Sequence, residues 1–350
     1  MIAVSETGSA FTFSCVTENR ADWFRKVRNL VVSIRSLDDP RRTAPIVVSV
    51  VGRPDRQIWA PLDRWNVDLR AVEPFDVRFP HANKLRMFEH PDVLKSADVL
   101  VALDCDIIVA RDPLELMSTS AIRAKPEDQT ILEDHHWLTI YEAMGITPPE
   151  KNCVMTSSGQ LSYPWWNSGV VGVPTRYAAE LHEQWSDNIS IVASLHDRGA
   201  LPANWITDQI GFVCALLQRG LPFEPMPITG NYPTCFPIHP DVRAKQNGQA
   251  VFIHYHHHVT VEGFLRSSGD AALNEQLDRF NATLAHETGL AYESLSSADV
   301  PPTRMERVRT SLQRRLKHYR WYKSPRLRPV KAALSNAADQ VRQRMRRMTK

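Results

Sequence analysis

The sequence has no apolar run long enough to cross a bilayer, which takes about 20 residues. Its apolar stretches are short: VSVVG at 48–52, VLVAL at 99–103 and IIVA at 107–110. A spanning helix is therefore not expected. The opening residues, MIAVSETGSA, show no basic stretch followed by an apolar one, so no secretory signal is expected either. Cysteine is scarce, with five residues (Cys15, Cys105, Cys153, Cys214 and Cys235) and no Cys-x-x-Cys. An odd number at wide spacing argues against a disulfide framework and a structural zinc site, and reduced thiols are the expectation. Repeats and low-complexity segments are also missing. Hydrophobic residues make up 43% and charged residues 23% of the chain, which excludes disorder over most of it.

Charge is unevenly spread. From Arg304 to Lys350 there are 16 Lys or Arg residues against two acids, Glu306 and Asp339, a local net of +14, while residues 1–303 carry −11. The Ser/Pro-rich stretch SLSSADVPPT separates these parts. The expected organisation is a body at 1–293, a linker at 294–303 and a basic tail at 304–350. In the tail Met305, Val308, Leu312, Leu316, Tyr319 and Tyr322 recur every three or four residues. The pattern resumes at Val330, Leu334, Ala337, Val341, Met345 and Met348. Two amphipathic helices with basic polar faces are expected, suited to an anionic membrane surface, with Tyr319, Trp321 and Tyr322 at the interface. The other reading is a helix packed on the body with a solvated basic side. Nucleic acid is not expected as a partner, because the body is acidic and no nucleic-acid motif occurs.

Along the body, AFTFSCVT (10–17) reads as a buried strand. Trp23, Phe24, Val27, Leu30, Val31, Ile34 and Leu37 form one helical face, with Asn19 as the expected cap. Strands follow at 45–52, 67–72 and 97–104, with a short helix at 81–90 between the last two. Residues 173–199 carry one long helix or two short ones, 206–220 a helix ending at Gly220, and 250–259 a strand. Strands alternating with helices predict an α/β fold with a mostly parallel sheet.

Asp104 and Asp106 follow the buried strand directly, in ALDCDIIVA. Ligands bind beyond the carboxyl ends of parallel strands, and an extended backbone would turn both carboxylates to one side. Charged acids between apolar runs need a cationic partner, and a divalent metal with oxygen ligands, Mg²⁺ or Mn²⁺, fits. Exposed turn aspartates are the plainer alternative. In FIHYHHHV a strand would put His254, His256 and His258 on one face and His257 on the other. One of them completes a metal site with the aspartates, or they form their own zinc site, or they simply pack. In PWWNSGVVGVP, Gly169 permits close backbone approach behind Asn167. Asp208 and Gln209 open a helix, where capping is a common role for the acid. Lys84 reads as a solvated helical lysine. At least one of Trp165 and Trp166 is expected in the core.

The order of these patterns is more specific than any of them alone. VTEN ends a strand, a helix ends in SIRSL, and NKLRMFE, LDCD, WWNSGVVGV, TDQIGF and IHYH follow. Over roughly residues 10–260 this resembles the nucleotide-sugar glycosyltransferases of the GT-A fold. It is most similar to the retaining family 8 group that includes glycogenin and lipopolysaccharide galactosyltransferases. The resemblance implies a Rossmann-like GT-A fold with a central mixed, mostly parallel sheet, and a metal-dependent hexosyl transfer from a nucleotide-diphosphate sugar, a UDP-sugar, to a glycan or lipid-linked acceptor with retention. It implies Asp104, Asp106 and His254 as ligands of Mn²⁺ or Mg²⁺, with Asp104 also near the ribose and sugar. Thr17 and Asn19 would meet the nucleotide, and Lys84 the donor. Asn167 would hold the sugar, with Asp208 and Gln209 beside its ring. Family members carry a Gly-x-x-Lys after the metal histidine, whereas HHHVTVEGF has no lysine; His257, His258 or an arginine from elsewhere would stand in at the diphosphate. A non-catalytic nucleotide-sugar or glycan-binding protein is the rival expectation. A nucleotidyltransferase is less favoured, because VTENRADW lacks a Gly-rich loop. With the basic tail, a peripheral protein at the cytoplasmic face of a membrane is expected.

Overall fold

A computed structural model describes residues 10–295, apart from 130, 203–205 and 246–247. The chain falls into two units, Met1–Leu295 and Ser296–Lys350. The expected tail helices and most of the linker lie outside the described residues.

The strands are β1 (Phe11–Glu18), β2 (Ile46–Val51), β3 (Val67–Val72), β4 (Val99–Leu103), β5 (Ile107–Val109), β6 (Ile122–Pro126), β7 (Cys153–Val154), β8 (Leu161–Ser162), β9 (Trp166–Pro174), β10 (Phe223–Pro225), β11 (Tyr232–Pro233) and β12 (Phe252–His254). Seven of them make one sheet in the order β10-β6-β9-β4-β1-β2-β3. All run the same way except β9, which is antiparallel to both β4 and β6. A small second sheet, β11-β12-β5, leaves the end of β4.

Burial on both faces follows from the apolar runs. In β4, Val99, Val101 and Leu103 face one cluster and Leu100 and Ala102 the other. On the first side lies α1 (Ala21–Arg35), which packs Val27, Leu30, Val31 and Ile34 against the sheet as its periodicity predicts. On the other side lie α2 (Thr175–Asp197) and α3 (Thr207–Arg219), with Trp185 and Phe212 in contact. Residues 175–197 thus form one long helix, and α3 stops at Gly220, whose φ of +57° suits glycine. The small sheet packs Ile108 and Ile253 against Leu273, Leu277 and Phe280 of α4 (Ala271–Thr288).

Two expectations change. Asn19 does not cap α1; Arg20 holds that position without a side-chain capping bond. The Asn19 amide is drawn instead to the 53–59 segment, donating to Arg53 O and accepting from Asp55 N and Trp59 Nε1. The strand expected over 250–259 is only Phe252–His254. Tyr255 N bonds to Asp106 O, His256 takes a φ of +53°, and His258 N closes a turn onto Tyr255 O. The strand itself therefore ends at His254.

Candidate metal and nucleotide site

The turn that follows β4 meets the end of β12. The chain does not stay extended there: Ile107 N bonds to Asp104 O, closing a tight turn with Cys105 and Asp106 at its centre. The turn drives Cys105 into the core, where burial pushes its thiol pKa up, and leaves both carboxylates on the other side. β12 runs antiparallel to β5 with His254 opposite Ile107, so the histidine lands beside Asp106. His254 Nε2 is 3.3 Å from Asp106 Oδ1 and 4.0 Å from Asp104 Oδ2. One ligand atom from each residue lies within 4.8 Å of the others. A small octahedral ion with bonds near 2 Å wants donors about 3 to 4 Å apart, and two carboxylates with one imidazole suit Mg²⁺ or Mn²⁺.

The imidazole is oriented for that task. His254 Nδ1 lies 3.2 Å from Asn231 Oδ1, and Asn231 Nδ2 donates to Asn167 Oδ1 at 2.8 Å. An asparagine carbonyl accepting from Nδ1–H would leave the Nε2 lone pair to an ion, whereas with no ion bound Nε2 is itself a partner of Asp106. Asn167 Oδ1 also accepts from Gly169 N, and its Nδ2 donates to Glu127 Oε2. Gly169 leaves room for this arrangement. A Cβ there would sit 2.9 Å from Asn167 Oδ1, 2.9 Å from His254 Cε1 and 3.1 Å from Asp104 Oδ2. The glycine serves the close approach of these side chains.

Two lysines flank the carboxylates. Lys84, on the 3-10 helix Pro80–Phe88, is buried rather than solvated. Its Nζ is 2.9 Å from Asp104 Oδ1, 3.1 Å from Asp208 Oδ2 and 2.9 Å from Ser168 Oγ. Burial works against its charge, yet Asp104 and Asp208 hold its pKa above the usual lysine value. Asp208 is not a cap: Ser168 Oγ donates to it at 2.7 Å. Burial opposes the ionised form of Asp208, and Lys84, His81 and Ser168 outweigh it, keeping the pKa low. On the other flank, Lys26 of α1 places Nζ 3.1 Å from Asp106 Oδ2. Burial likewise opposes the charge of Asp106, while His254 and Lys26 hold its pKa well below the usual range.

The remaining candidates separate. Gln209 adjoins Asp208, but its carbonyl accepts from Trp165 Nε1 at 2.9 Å. Trp165 and Trp166 are both core, the latter against Phe223. Thr17, at the end of β1, is buried with no hydrogen-bond partner for its hydroxyl among the described residues. The Asn19 side chain is committed to the 53–59 segment, as above. His254 and His256 stack with ring centroids 3.7 Å apart, and His257 is exposed on the following turn. Burial and the neighbouring imidazoles lower the pKa values of His256 and His258.

Sequence reading missed Lys26, Ser168, Asn231 and the group Lys125, Glu127 and Asp128. Lys26 follows Trp23 by three positions, a cation at the margin of an apolar stripe, and that is a usable signal. Lys125, near the end of β6, and Asp128 form a buried pair at 2.6 Å, with Thr156 Oγ1 a further acceptor. Burial and Asp128 push the Glu127 pKa up to about 7 against the pull of Lys125. The local sign is a run of charges, KPED, at the end of a short strand.

Neither a family model nor a curated protein matches the sequence. Among solved structures, the chain is similar to the apo form of mouse xyloside xylosyltransferase 1, at 15% identity and a TM-score of 0.46, over 71% of this chain and 99% of that one. It is also similar to the galactosyltransferase LgtC in complex with donor and acceptor sugar analogs, at 12% identity and 0.49, over 78% and 95%. A third is the bifunctional glycosyltransferase WbbM in apo form, at 13% identity and 0.46, where the match covers 81% of this chain and 52% of that one. The proteins named in these structures are glycosyltransferases.

Proposed function

We propose that the protein is a metal-dependent glycosyltransferase of the GT-A fold that moves a hexosyl group from a UDP-sugar to a glycan or lipid-linked acceptor with retention. The observation that carries this reading is the convergence of Asp104, Asp106 and His254 at the carboxyl end of β4, with the buried Asp208 one lysine away. A nucleoside diphosphate leaves readily once its charge is neutralised, and a bound Mn²⁺ or Mg²⁺ supplies that Lewis acidity. Asp104, Asp106 and His254 would hold the ion. Breaking the anomeric bond develops positive charge on the sugar. In this reading the carboxylate of Asp208, kept ionised by Lys84, faces that charge, and Gln209 stands beside it. Asn167 acts at the sugar pocket by holding Asn231 and Glu127 in place. Thr17 borders the nucleotide with a free hydroxyl. The basic tail would bring the body to an anionic membrane carrying a lipid-linked acceptor.

The test is release of UDP from a panel of UDP-sugars with Mn²⁺, followed by NMR of the anomeric product. Turnover by the wild type, lost in Asp208→Asn while UDP still binds, is the expected result. A second reading, a nucleotide-sugar binding protein without turnover, is favoured by the absence of a lysine in HHHVTVEGF after His254. It predicts binding of UDP-sugars with no release of UDP by any of them.

A further inference from the structure

The two lysines beside the carboxylates differ in what they have left to give. An ammonium has three N–H donors. Lys84 spends its donors on Asp104, Asp208 and Ser168, with its side chain 9% exposed. Among the described residues, Asp106 Oδ2 is the one hydrogen-bond acceptor of Lys26, whose side chain is 25% exposed. Its ammonium also lies 4.7 Å from the centre of the Trp23 ring, whose face favours a cation there. Lys26 is thus a positive group at the rim of the candidate ion site, with donors to spare and a path to solvent. Asp106 lies between it and His254, so the lysine and an ion would share that carboxylate from opposite sides.

We propose that Lys26 is the diphosphate-binding cation of this protein: it bonds to the phosphates of the bound nucleotide and, with the nucleotide absent, rests on Asp106. This rests on the glycosyltransferase reading. It also assigns the task left open by the stretch after His254, which holds no lysine. The chemistry agrees with the charges. Asp104 and Asp106 neutralise a divalent ion, so the phosphates need a further positive group, and a lysine acts there as a point charge with rotatable donors.

The experiment is calorimetric titration of the full chain with UDP and with UMP in the presence of Mn²⁺, for wild type, Lys26→Gln and Lys26→Arg, with Mn²⁺ alone as a control. Thermal unfolding checks that each variant is folded. The expected result is a loss of tenfold or more in UDP affinity for Lys26→Gln, a change under threefold for UMP, and recovery of most of the loss in Lys26→Arg. Mn²⁺ alone should bind Lys26→Gln as tightly as the wild type or more tightly, because a competitor for Asp106 is gone. Equal UDP affinity in wild type and Lys26→Gln would overturn this proposal and leave the glycosyltransferase reading standing. So would a loss of Mn²⁺ binding in the variant, which would make Lys26 a support for Asp106. Failure of the wild type to bind either UDP or GDP with Mn²⁺ would overturn the glycosyltransferase reading, and this proposal with it.

Discussion

The ends of β6 and β4 carry the same kind of pair, a lysine against an aspartate, in opposite settings. At the end of β6, the Lys125 and Asp128 side chains are 1% and 2% exposed. At the end of β4, the facing Lys84 is nearly as deep, but Asp104 is 24% exposed and Asp106 16%. The two regions are joined through the amides of Asn167 and Asn231. The sealed pair can only fix geometry. The open one keeps carboxylate oxygens where a ligand can reach them. A buried charge pair is weak evidence of function by itself; function enters where the shell is left incomplete on one side.

This contrast can be broken from the sealed end first. Lys125→Met leaves Asp128 buried without its partner and should destabilise the protein by about 3–5 kcal/mol in urea titrations. The affinity of the remaining folded protein for Mn²⁺ should stay within a factor of a few. A large loss of affinity with little loss of stability would erase the distinction drawn here. The link between the two regions is next. Asn231→Ala frees the His254 ring and should lower Mn²⁺ affinity by about 10- to 100-fold, the usual result of losing such an orienting partner, with a small change in Tm. Unchanged affinity would show that the ring is held by its packing against His256.

The smallest effect concerns proton uptake. Burial and Asp128 raise the Glu127 pKa from about 4.5 to about 7, so the folded state holds a proton that the unfolded state has released. Stability from this group is full below the lower value and is lost as pH rises through the upper one. Glu127→Gln should flatten the fall in Tm between these pH values and gain a few degrees at pH 8. Parallel curves for the two proteins would remove Glu127 as the source.

Much of this was legible beforehand, for local reasons. Val99–Leu103, buried on both faces, announced its strand by apolarity alone, and the face of α1 by its spacing. The carboxylates of Asp104 and Asp106 and the ring of His254 do converge, although a tight turn, not an extended strand, aligns the acids. What escaped depends on long-range pairing. Asn231 and Asn167 are 64 residues apart and Lys26 and Asp106 80, and a single asparagine or lysine does not advertise such a partner. The strand expected through the histidine run stops at His254 because the left-handed backbone of His256 and the turn from His258 N to Tyr255 O bend the chain away. Asn19 misled for a related reason: the 53–59 segment competes for its amide more successfully than the helix end does.

The most direct test of the account is thermal unfolding of the wild type and the Asp104→Asn/Asp106→Asn variant with UDP, with and without Mn²⁺. UDP at 100 times its Kd should stabilise the wild type by about 2.7 kcal/mol, only when Mn²⁺ is present, and should not stabilise the variant. The same Mn²⁺-dependent stabilisation in both proteins would contradict the assignment of Asp104, Asp106 and His254 as the site of the ion and the nucleotide.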